Sequence, residues 1–459
     1  MKKSAEKDVK KSAGLCGAAK TPQKPKTSNA SKMPHASEAS NFSKTPGMPR
    51  SSRTSKTSKT TKAVEAPQAS EAASRAGESQ LFLIKHARLW RRGEAQPQEV
   101  ELLIGGGKIL KLGKDLGLAK DFCPIWDAGG DLLIPAYVDQ HVHITGGGGE
   151  GGFANQVPPI QLSTIVQGGV ATLGGLLGTD GCTRSVENVL AKCKGLNEEG
   201  LSCFAYTGSY VLPSATICGS ITRDIVLIQE IIGVKVAVSD HRSCGITDDE
   251  LIKVGFAARQ GGVLANKAGV VHIHVGSGKD GIGLIFRALE KSDLPISVFR
   301  PTHMETHFEE SLRFAKLGGY VDLTTGGKPE KTAEALARLL CEAPADRFTL
   351  SSDANGSMPR WNERKEIIGI RASEIAANQA CVKALVEDQK IPLPEATAHL
   401  SEYPARALGL FPKKGIIAEG SDADLLFLDE QLNIRSLFAR GECFLEKGKL
   451  LRRGRFEVE

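Results

Sequence analysis

Short apolar segments alternate with segments of helical periodicity between about residue 130 and residue 400. Ser202–Gly208 is strand-like and precedes a helical pattern over 225–232, and Val234–Ser239 precedes another over 248–260. Repeated β–α units of this length predict an α/β fold whose parallel strands close into a (β/α)8, TIM-like barrel. Polar and ionisable residues stand where the predicted strands end, which is the catalytic face of such barrels.

Two flanking regions contain short predicted strands without intervening helices. Their apolar or alternating segments are 81–90, 100–104, 108–112, 414–417, 423–428 and 437–444. We expect both flanks to join in one small β domain, formed by 81–132 and 411–459, around a barrel at 133–410.

Residues 1–80 have a different composition from the rest of the chain. They are rich in Ser, Thr, Lys, Ala and Pro and contain almost no large apolar side chains, which predicts a disordered tail. The tail holds 16 Lys and Arg against 6 Asp and Glu, whereas the remainder holds 43 against 47. The basic charge therefore belongs to the tail, and the body gives no reason to expect nucleic acid. A transit peptide is the alternative interpretation of the tail.

Apolar-run length and cysteine spacing indicate the compartment. No run approaches the roughly 18 to 20 apolar residues of a membrane span. A secretory signal has a basic segment followed by an apolar one, and the sequence contains no such pair. The ten cysteines are scattered, without a Cys-x-x-Cys pair. We expect a cytoplasmic protein with reduced thiols and no membrane partner.

The stretch from Leu132 to Glu150 is a candidate metal site. It begins as an apolar strand that runs to His141 and His143, whose side chains share one face because they are two residues apart. A glycine run follows and lets backbone approach a bound molecule. Two hydrogen-bonded structural histidines are the alternative, so a metal site depends on further ligands.

Further candidate ligands follow later predicted strands. His274, in a second His-x-His pair with His272, His303 and Asp353 stand at three strand ends. Lys235 lies inside an apolar strand, where its amine must be paired or neutralised. Carboxylation by CO2 would give a carbamate that bridges two cations, and a lysine extending to solvent at a strand end is the alternative. Imidazoles and carboxylates in this arrangement favour two zinc ions that activate water, with Asp353 accepting its proton.

Longer motifs carry a family resemblance over roughly residues 80–459. The body resembles the amidohydrolase superfamily and, within it, the isoaspartyl dipeptidases. The matching segments are Asp139–His143, Gly146–Glu150, Leu176–Asp180, Thr207–Tyr210, Gly233–Lys235, Ser239–Ser243, Pro301–His303, Leu350–Ser357 and Gly420–Leu425.

The resemblance implies zinc-dependent hydrolysis of the isopeptide bond of β-aspartyl dipeptides by a homo-oligomer. Carboxylated Lys235 would bridge two zinc ions, and Asp353 would be the general base and acid. The implied zinc ligands are His141, His143, Lys235, His274, His303 and Asp353. The implied substrate contacts are Gly148, Gly149, Glu150, Thr179, Tyr210, Arg242 and Ser357. Glu150 would bind the substrate's α-amino group, Tyr210 would assist at the carbonyl, and Arg242 would bind a carboxylate.

One departure from the family pattern keeps alternatives open. The family has a substrate-binding arginine three residues after the His303 position, where this chain has Thr306. Hydrolysis of a cyclic amide or an N-acyl amino acid is therefore one alternative. A catalytically silent scaffold is another, although such a protein should have lost ligands and all six are present. Tyr210 as a packing residue, and Arg242 as a surface ion pair with Asp240, are the structural alternatives.

Overall fold

The computed structural model describes residues 81–118 and 121–458. The predicted disordered tail at 1–80 lies outside these residues. None of the helices in the described ranges is long and apolar enough to cross a membrane.

Five strands precede the barrel. They are β1 (Phe82–Leu89), β2 (Gln98–Gly105), β3 (Lys108–Gly113), β4 (Ile125–Asp127) and β5 (Leu132–Pro135). β1 pairs antiparallel with β2 and parallel with β4 and β5.

Eight parallel strands form the barrel. They are β6 (Tyr137–Val142), β7 (Val170–Gly175), β8 (Ser202–Gly208), β9 (Ile231–Val238), β10 (Val270–Val275), β11 (Phe299–Thr302), β12 (Val321–Thr324) and β13 (Phe348–Ser351). β6 to β11 form one hydrogen-bonded sheet, and β12 pairs with β13. Thr302 Oγ1 lies 2.7 Å from Asp322 Oδ2 and joins β11 to β12, and His143 N donates to Ala354 O at 2.9 Å beside β13. The predicted (β/α)8 barrel is confirmed.

A helix follows each barrel strand. These helices are α1 (Leu162–Gln167), α2 (Val186–Glu198), α3 (Ile221–Leu227), α4 (Asp248–Ala265), α5 (Gly283–Glu290), α6 (Phe308–Lys316), α7 (Pro329–Leu340) and α8 (Ala377–Glu387). Side-chain caps fix several starts, most completely in α4, where Thr247 and Glu250 form a reciprocal capping box. Asn266 adopts a left-handed conformation and ends α4.

The last β–α connection carries an insertion. It is a hairpin of β14 (Ser357–Trp361) and β15 (Ile367–Ala372), which stands between β13 and α8. Two short helices, α9 (Leu393–Ala398) and α10 (Glu402–Ala407), complete this part of the chain.

The chain then returns to the flanking sheet. Its strands are β16 (Leu425–Leu428), β17 (Ile434–Ala439), β18 (Glu442–Glu446) and β19 (Lys449–Leu450). β16 pairs antiparallel with β5, which gives the order β19-β18-β17-β16-β5-β1-β2-β3 with β4 beside β1. Apolar side chains from both flanks, including Ile84, Leu102 and Phe427, form a separate core. The domain boundaries themselves remain a prediction, and the pairing of β5 favours a change at Pro135.

Several sequence-based element predictions need correction. The strand expected to run from Leu132 to His143 is two strands, β5 in the flanking sheet and β6 in the barrel. The helix expected over 225–232 ends at Leu227, and Ile231 already begins β9. Residues 414–417 form no strand, and 437–444 is parts of two strands that turn at Arg440 and Gly441.

Candidate active site

The candidate metal ligands lie at one end of the barrel. His141 is in β6 and His143 follows it, Lys235 is in β9, and His274 is in β10. His303 directly follows β11 with a φ angle of 69°, and Asp353 is the second residue after β13 with a φ angle of 54°. Left-handed backbone is uncommon outside glycine and concentrates at functional sites.

Asp353 is the centre of the closest contacts. Its Oδ1 lies 3.2 Å from His141 Nε2 and 3.0 Å from His143 Nε2. Lys235 Nζ lies 3.5 Å from His141 Nε2. The ligand atoms of His141, His303 and Asp353 all lie within 4.8 Å of one another. The His274 ring packs against His303, with centroids 4.6 Å apart.

In three of these histidines, one ring nitrogen contacts a residue outside the set of candidate ligands. His141 Nδ1 contacts His272 Nε2 at 2.9 Å, and His303 Nδ1 contacts Thr324 Oγ1 at 2.7 Å. His274 uses the opposite nitrogen, because its Nε2 contacts Asp240 Oδ2 at 2.8 Å. Such partners orient histidine rings in metal sites.

Burial favours the neutral forms of His141, His274 and Lys235. It lowers the pKa of His141 to about 3 and of His274 to about 4, in His141 with help from the charge of Lys235. Burial also lowers the pKa of Lys235 to about 7, against the opposing charges of Asp353 and Asp322. Burial would raise the pKa of Asp353, but His141 and its neighbours outweigh it and hold that pKa well below its usual range. His141 and His274 therefore offer neutral nitrogens, Lys235 is partly unprotonated at neutral pH, and Asp353 offers a carboxylate.

The donor set fits divalent cations. Asp353 Oδ1 is buried and receives no hydrogen bond of good geometry from the described residues, although two imidazole nitrogens lie close to it. Neutral imidazole nitrogens and carboxylate oxygens are ligands that zinc accepts, and lone pairs that face one another are stabilised by a cation between them.

Glu150 is the centre of a second cluster beside the first. Its Oε1 accepts hydrogen bonds from Thr179 Oγ1 at 3.0 Å, Ser357 Oγ at 2.9 Å and Arg242 at 2.9 Å. Arg242 also pairs with Asp240, at 3.0 Å through Nε and 2.7 Å through a terminal nitrogen. The Arg242–Asp240 ion pair is thus observed, but it is buried in this larger cluster and does not lie at the surface.

Tyr210 lies between the two clusters. Its hydroxyl is 2.6 Å from His274 Nδ1, and the Arg242 guanidinium lies 5.6 Å from its ring centroid. Burial raises the pKa of Tyr210 well above its usual value, so the phenol keeps its proton and can donate.

The glycine run before Glu150 is packed closely against its own loop. Gly148 and Gly149 have φ angles of 90° and 101°, and a Cβ at Gly148 would lie 2.3 Å from Asn155 O. Thr306 is exposed in a short 3-10 turn, and the neighbouring His307 pairs with Glu310 at 2.8 Å. His307 is therefore engaged by its own helix.

Sequence reasoning missed two residues of the site. The His-x-His spacing indicates His272 only as a neighbour of His274, whereas its fully buried ring contacts His141. Asp240 was seen only as an ion-pair partner of Arg242, although it also contacts His274. The Ser-Asp-His-Arg motif was the signal for Asp240.

Known proteins are similar to this chain in sequence and in structure. The sequence model of the amidohydrolase family matches residues 132–444, most of the chain. The chain belongs to the amidohydrolase family. A crystal structure of β-aspartyl dipeptidase from Fervidobacterium islandicum AW-1, in complex with β-Asp-Leu dipeptide, is 39% identical to this amidohydrolase. It covers 81% of this chain and 99% of its own, with a TM-score of 0.76.

More distant relatives are similar to this chain in sequence or in fold. L-hydantoinase from Paenarthrobacter aurescens is 23% identical over 394 residues, which are 73% of this chain and 83% of the relative. Dihydropyrimidinase from Brevibacillus agri NCHU1002 shares the fold at 16% identity and a TM-score of 0.57, covering 81% of this chain and 96% of its own. This amidohydrolase is a hydrolytic enzyme, and the predicted resemblance to the superfamily and its isoaspartyl dipeptidases is confirmed.

Proposed function

We propose that this enzyme is a dipeptidase that hydrolyses the isopeptide bond of β-aspartyl dipeptides. Similarity to the dipeptidase crystallised with β-Asp-Leu supports the substrate class. The observation that carries the proposal is the Glu150–Arg242 pair, held 2.9 Å apart beside the cluster of candidate ligands.

This pair matches the part of the substrate that distinguishes it from an ordinary dipeptide. A β-aspartyl residue keeps its α-ammonium and α-carboxylate groups on one carbon, because the peptide bond uses the side chain. Glu150 would bind the ammonium, oriented by Thr179 and Ser357, and Arg242 would bind the carboxylate with its planar fork. Gly148 and Gly149, directly before Glu150, would lie beside these two groups of the substrate. Since Thr306 replaces the family's other arginine, Arg242 is the guanidinium assigned to the carboxylate.

Two zinc ions are the proposed cofactor. The residues that would hold them are His141, His143, Lys235, His274, His303 and Asp353. When bound, zinc would make a water molecule more acidic and polarise the scissile carbonyl.

Lys235 would take part as a carbamate. Its free amine adds to CO2, which forms a new N–C bond and releases one proton. Because burial brings the pKa of Lys235 to about 7, a large share of the amine is unprotonated and reactive at neutral pH. The resulting carbamate oxygens would join the ligand set.

Asp353 would transfer the proton during the reaction, and Tyr210 would stabilise the charge that develops on the carbonyl oxygen. Asp353 accepts the proton that the attacking water loses, as a C–O bond forms at the scissile carbon. It returns the proton to the leaving nitrogen as the C–N bond breaks. Tyr210, which keeps its phenolic proton, would donate a hydrogen bond to the carbonyl oxygen as charge develops there. A cytoplasmic location and homo-oligomeric assembly stay predictions.

The first test compares β-Asp-Leu with α-Asp-Leu in the zinc-loaded enzyme, with Asp353→Asn as the inactive variant. We expect cleavage of the β isomer alone, and a loss of about 100-fold or more in kcat in the variant. Cleavage of a hydantoin but neither dipeptide would reject the proposal in favour of a cyclic-amide hydrolase, the activity class of the Paenarthrobacter relative.

A further inference from the structure

Asp240 is shared by the two clusters of the site. Its side chain is 5% exposed. In the chain, Asp240 comes directly after Ser239, which follows β9 and has a φ angle of 53°. One oxygen, Oδ2, contacts both His274 Nε2 at 2.8 Å and an Arg242 terminal nitrogen at 2.7 Å. The other, Oδ1, accepts from the Arg242 backbone N–H at 2.8 Å and from Arg242 Nε at 3.0 Å.

These contacts determine which nitrogen of His274 carries a proton. A carboxylate that pairs bidentately with a guanidinium accepts hydrogen bonds and donates none. His274 Nε2 must therefore be the N–H donor, and Nδ1 carries the lone pair. The Tyr210 hydroxyl, 2.6 Å from Nδ1, is then a donor to it. Nδ1 is therefore the ring nitrogen whose lone pair a cation would take, and the cation would replace the Tyr210 hydrogen bond there and free the phenol to donate elsewhere.

The same carboxylate orients Arg242. With Nε and one terminal nitrogen paired to Asp240, the guanidinium plane is fixed and its remaining terminal nitrogen points at Glu150 Oε1, 2.9 Å away. A continuous chain of contacts therefore runs from His274 through Asp240 and Arg242 to Glu150. Each of these contacts lies within hydrogen-bond distance.

We propose that Asp240 is a positioning residue that fixes the Nδ1-ligand tautomer of His274 and the orientation of the Arg242 fork together. The inference has two parts. The orientation of Arg242, which we call the substrate arm, rests on the proposed function. The tautomer of His274, which we call the metal arm, concerns only the residues around His274.

Three variants separate the two arms. Asp240→Ala removes both contacts. Asp240→Asn keeps an amide oxygen that can accept from His274 Nε2 but cannot pair with both Arg242 donors. Arg242→Gln removes the substrate arm alone. Asp248→Asn is the matched control, because Asp248 also pairs with an arginine, Arg287, but on the outer surface of the barrel.

The readouts are the rate of zinc transfer to a chelator and the KM and kcat for β-Asp-Leu. We expect Asp240→Ala to release zinc about 10- to 100-fold faster than wild type, as loss of a ligand's hydrogen-bond partner typically does. Asp240→Asn should release zinc more slowly than Asp240→Ala, yet share its raised KM. Arg242→Gln should raise KM and release zinc at the wild-type rate, and Asp248→Asn should change neither.

Wild-type zinc release from folded Asp240→Ala, or a KM unchanged in both Asp240 variants, would overturn the proposal. If wild type cleaves no dipeptide, the proposed function fails, and zinc release still tests the metal arm. If the Asp240 variants do not fold, a crystal structure of the zinc-loaded wild type decides. Zinc on His274 Nδ1 supports the inference, and zinc on Nε2 overturns it.

Discussion

In the proposed function Glu150 binds the substrate's ammonium group, so the charge of its side chain should affect KM more than its size does. Glu150→Gln keeps the hydrogen bonds from Thr179 and Ser357 possible but leaves the Arg242 charge without this partner. We expect KM for β-Asp-Leu to rise about 30-fold or more, since losing one partner of a buried charge pair costs at least ~2 kcal/mol. Steady-state kinetics measures it. An unchanged KM would show that Glu150 does not bind the substrate's ammonium group. As a second test, N-acetyl-β-Asp-Leu, in which this group is blocked, should be a poor substrate of the wild-type enzyme.

Carboxylation of Lys235 should depend on pH through its free amine. With a pKa of about 7, the unprotonated fraction is roughly 10% at pH 6 and 90% at pH 8. Reactivation of metal-free enzyme by zinc should therefore be faster at pH 8 than at pH 6 at the same dissolved CO2. Stopped samples assayed at one common pH measure this rate. Equal rates at both pH values, or full reactivation without CO2, would contradict the carbamate.

At the residue scale, spacing predicts side-chain direction but not contacts between distant segments. The His-x-His pairs could be predicted because alternate residues of a strand share a face. The contact between Asp240 and His274 could not, because it joins a loop after one strand to the next strand across 34 residues. The positive φ angles of His303 and Asp353 also carry no sequence signal, since neither residue is a glycine.

His399 ties the end of α9 to the start of β13. It is 1% exposed, its Nδ1 donates to Phe348 O at 2.7 Å, and burial lowers its pKa to about 4. The unfolded chain binds this proton near pH 6.5 and the folded chain does not, so stability is complete above that pH and falls as pH drops toward 4.

We therefore expect His399 to account for about 2 kcal/mol of the stability lost between pH 7 and pH 5. His399→Gln should reduce that loss by this amount when both metal-free proteins are unfolded in urea. His86→Gln, at an exposed histidine, is the control and should not reduce it. An equal pH dependence in wild type and His399→Gln would show that His399 is not buried as a neutral base.

Elements bounded by clear signals were predicted best. The strand Ser202–Gly208 agrees with the strand-like segment that indicated it. The helix over 225–232 was misplaced because apolar residues continue from α3 into β9 with only Gln229 and Glu230 between them. The predicted strand from Leu132 to His143 failed for the same reason, since its apolar residues serve two different sheets.

At the scale of the whole molecule, zinc should stabilise the fold because it binds the assembled barrel end. Free zinc at 100 times its dissociation constant adds ~2.7 kcal/mol per site, which for a protein of this size raises Tm by roughly a few °C. Thermal unfolding with zinc and with a chelator measures the difference. Lys235→Met should abolish most of it, and an unchanged Tm in wild type would argue against a metal centre.

Within the part of the chain that the structure describes, the site is built from residues between His141 and Ser357. Deleting residues 1–80 should therefore leave kcat/KM for β-Asp-Leu within about twofold, as for changes outside a site. The measurement compares the two proteins at equal zinc content. A large loss would show that the tail contributes to catalysis or assembly, which no part of the described site requires.

The pairing of β5 with β16 has a consequence for biosynthesis. Leu132–Pro135 takes its second neighbour from Leu425–Leu428, which the ribosome makes almost 300 residues later. At typical rates of ~5–20 residues per second, this apolar edge waits roughly 15 to 60 s without its partner. An unpaired strand edge is a template for aggregation. Nascent chains should therefore recruit chaperones during this interval, and messages truncated before codon 425 should yield insoluble protein.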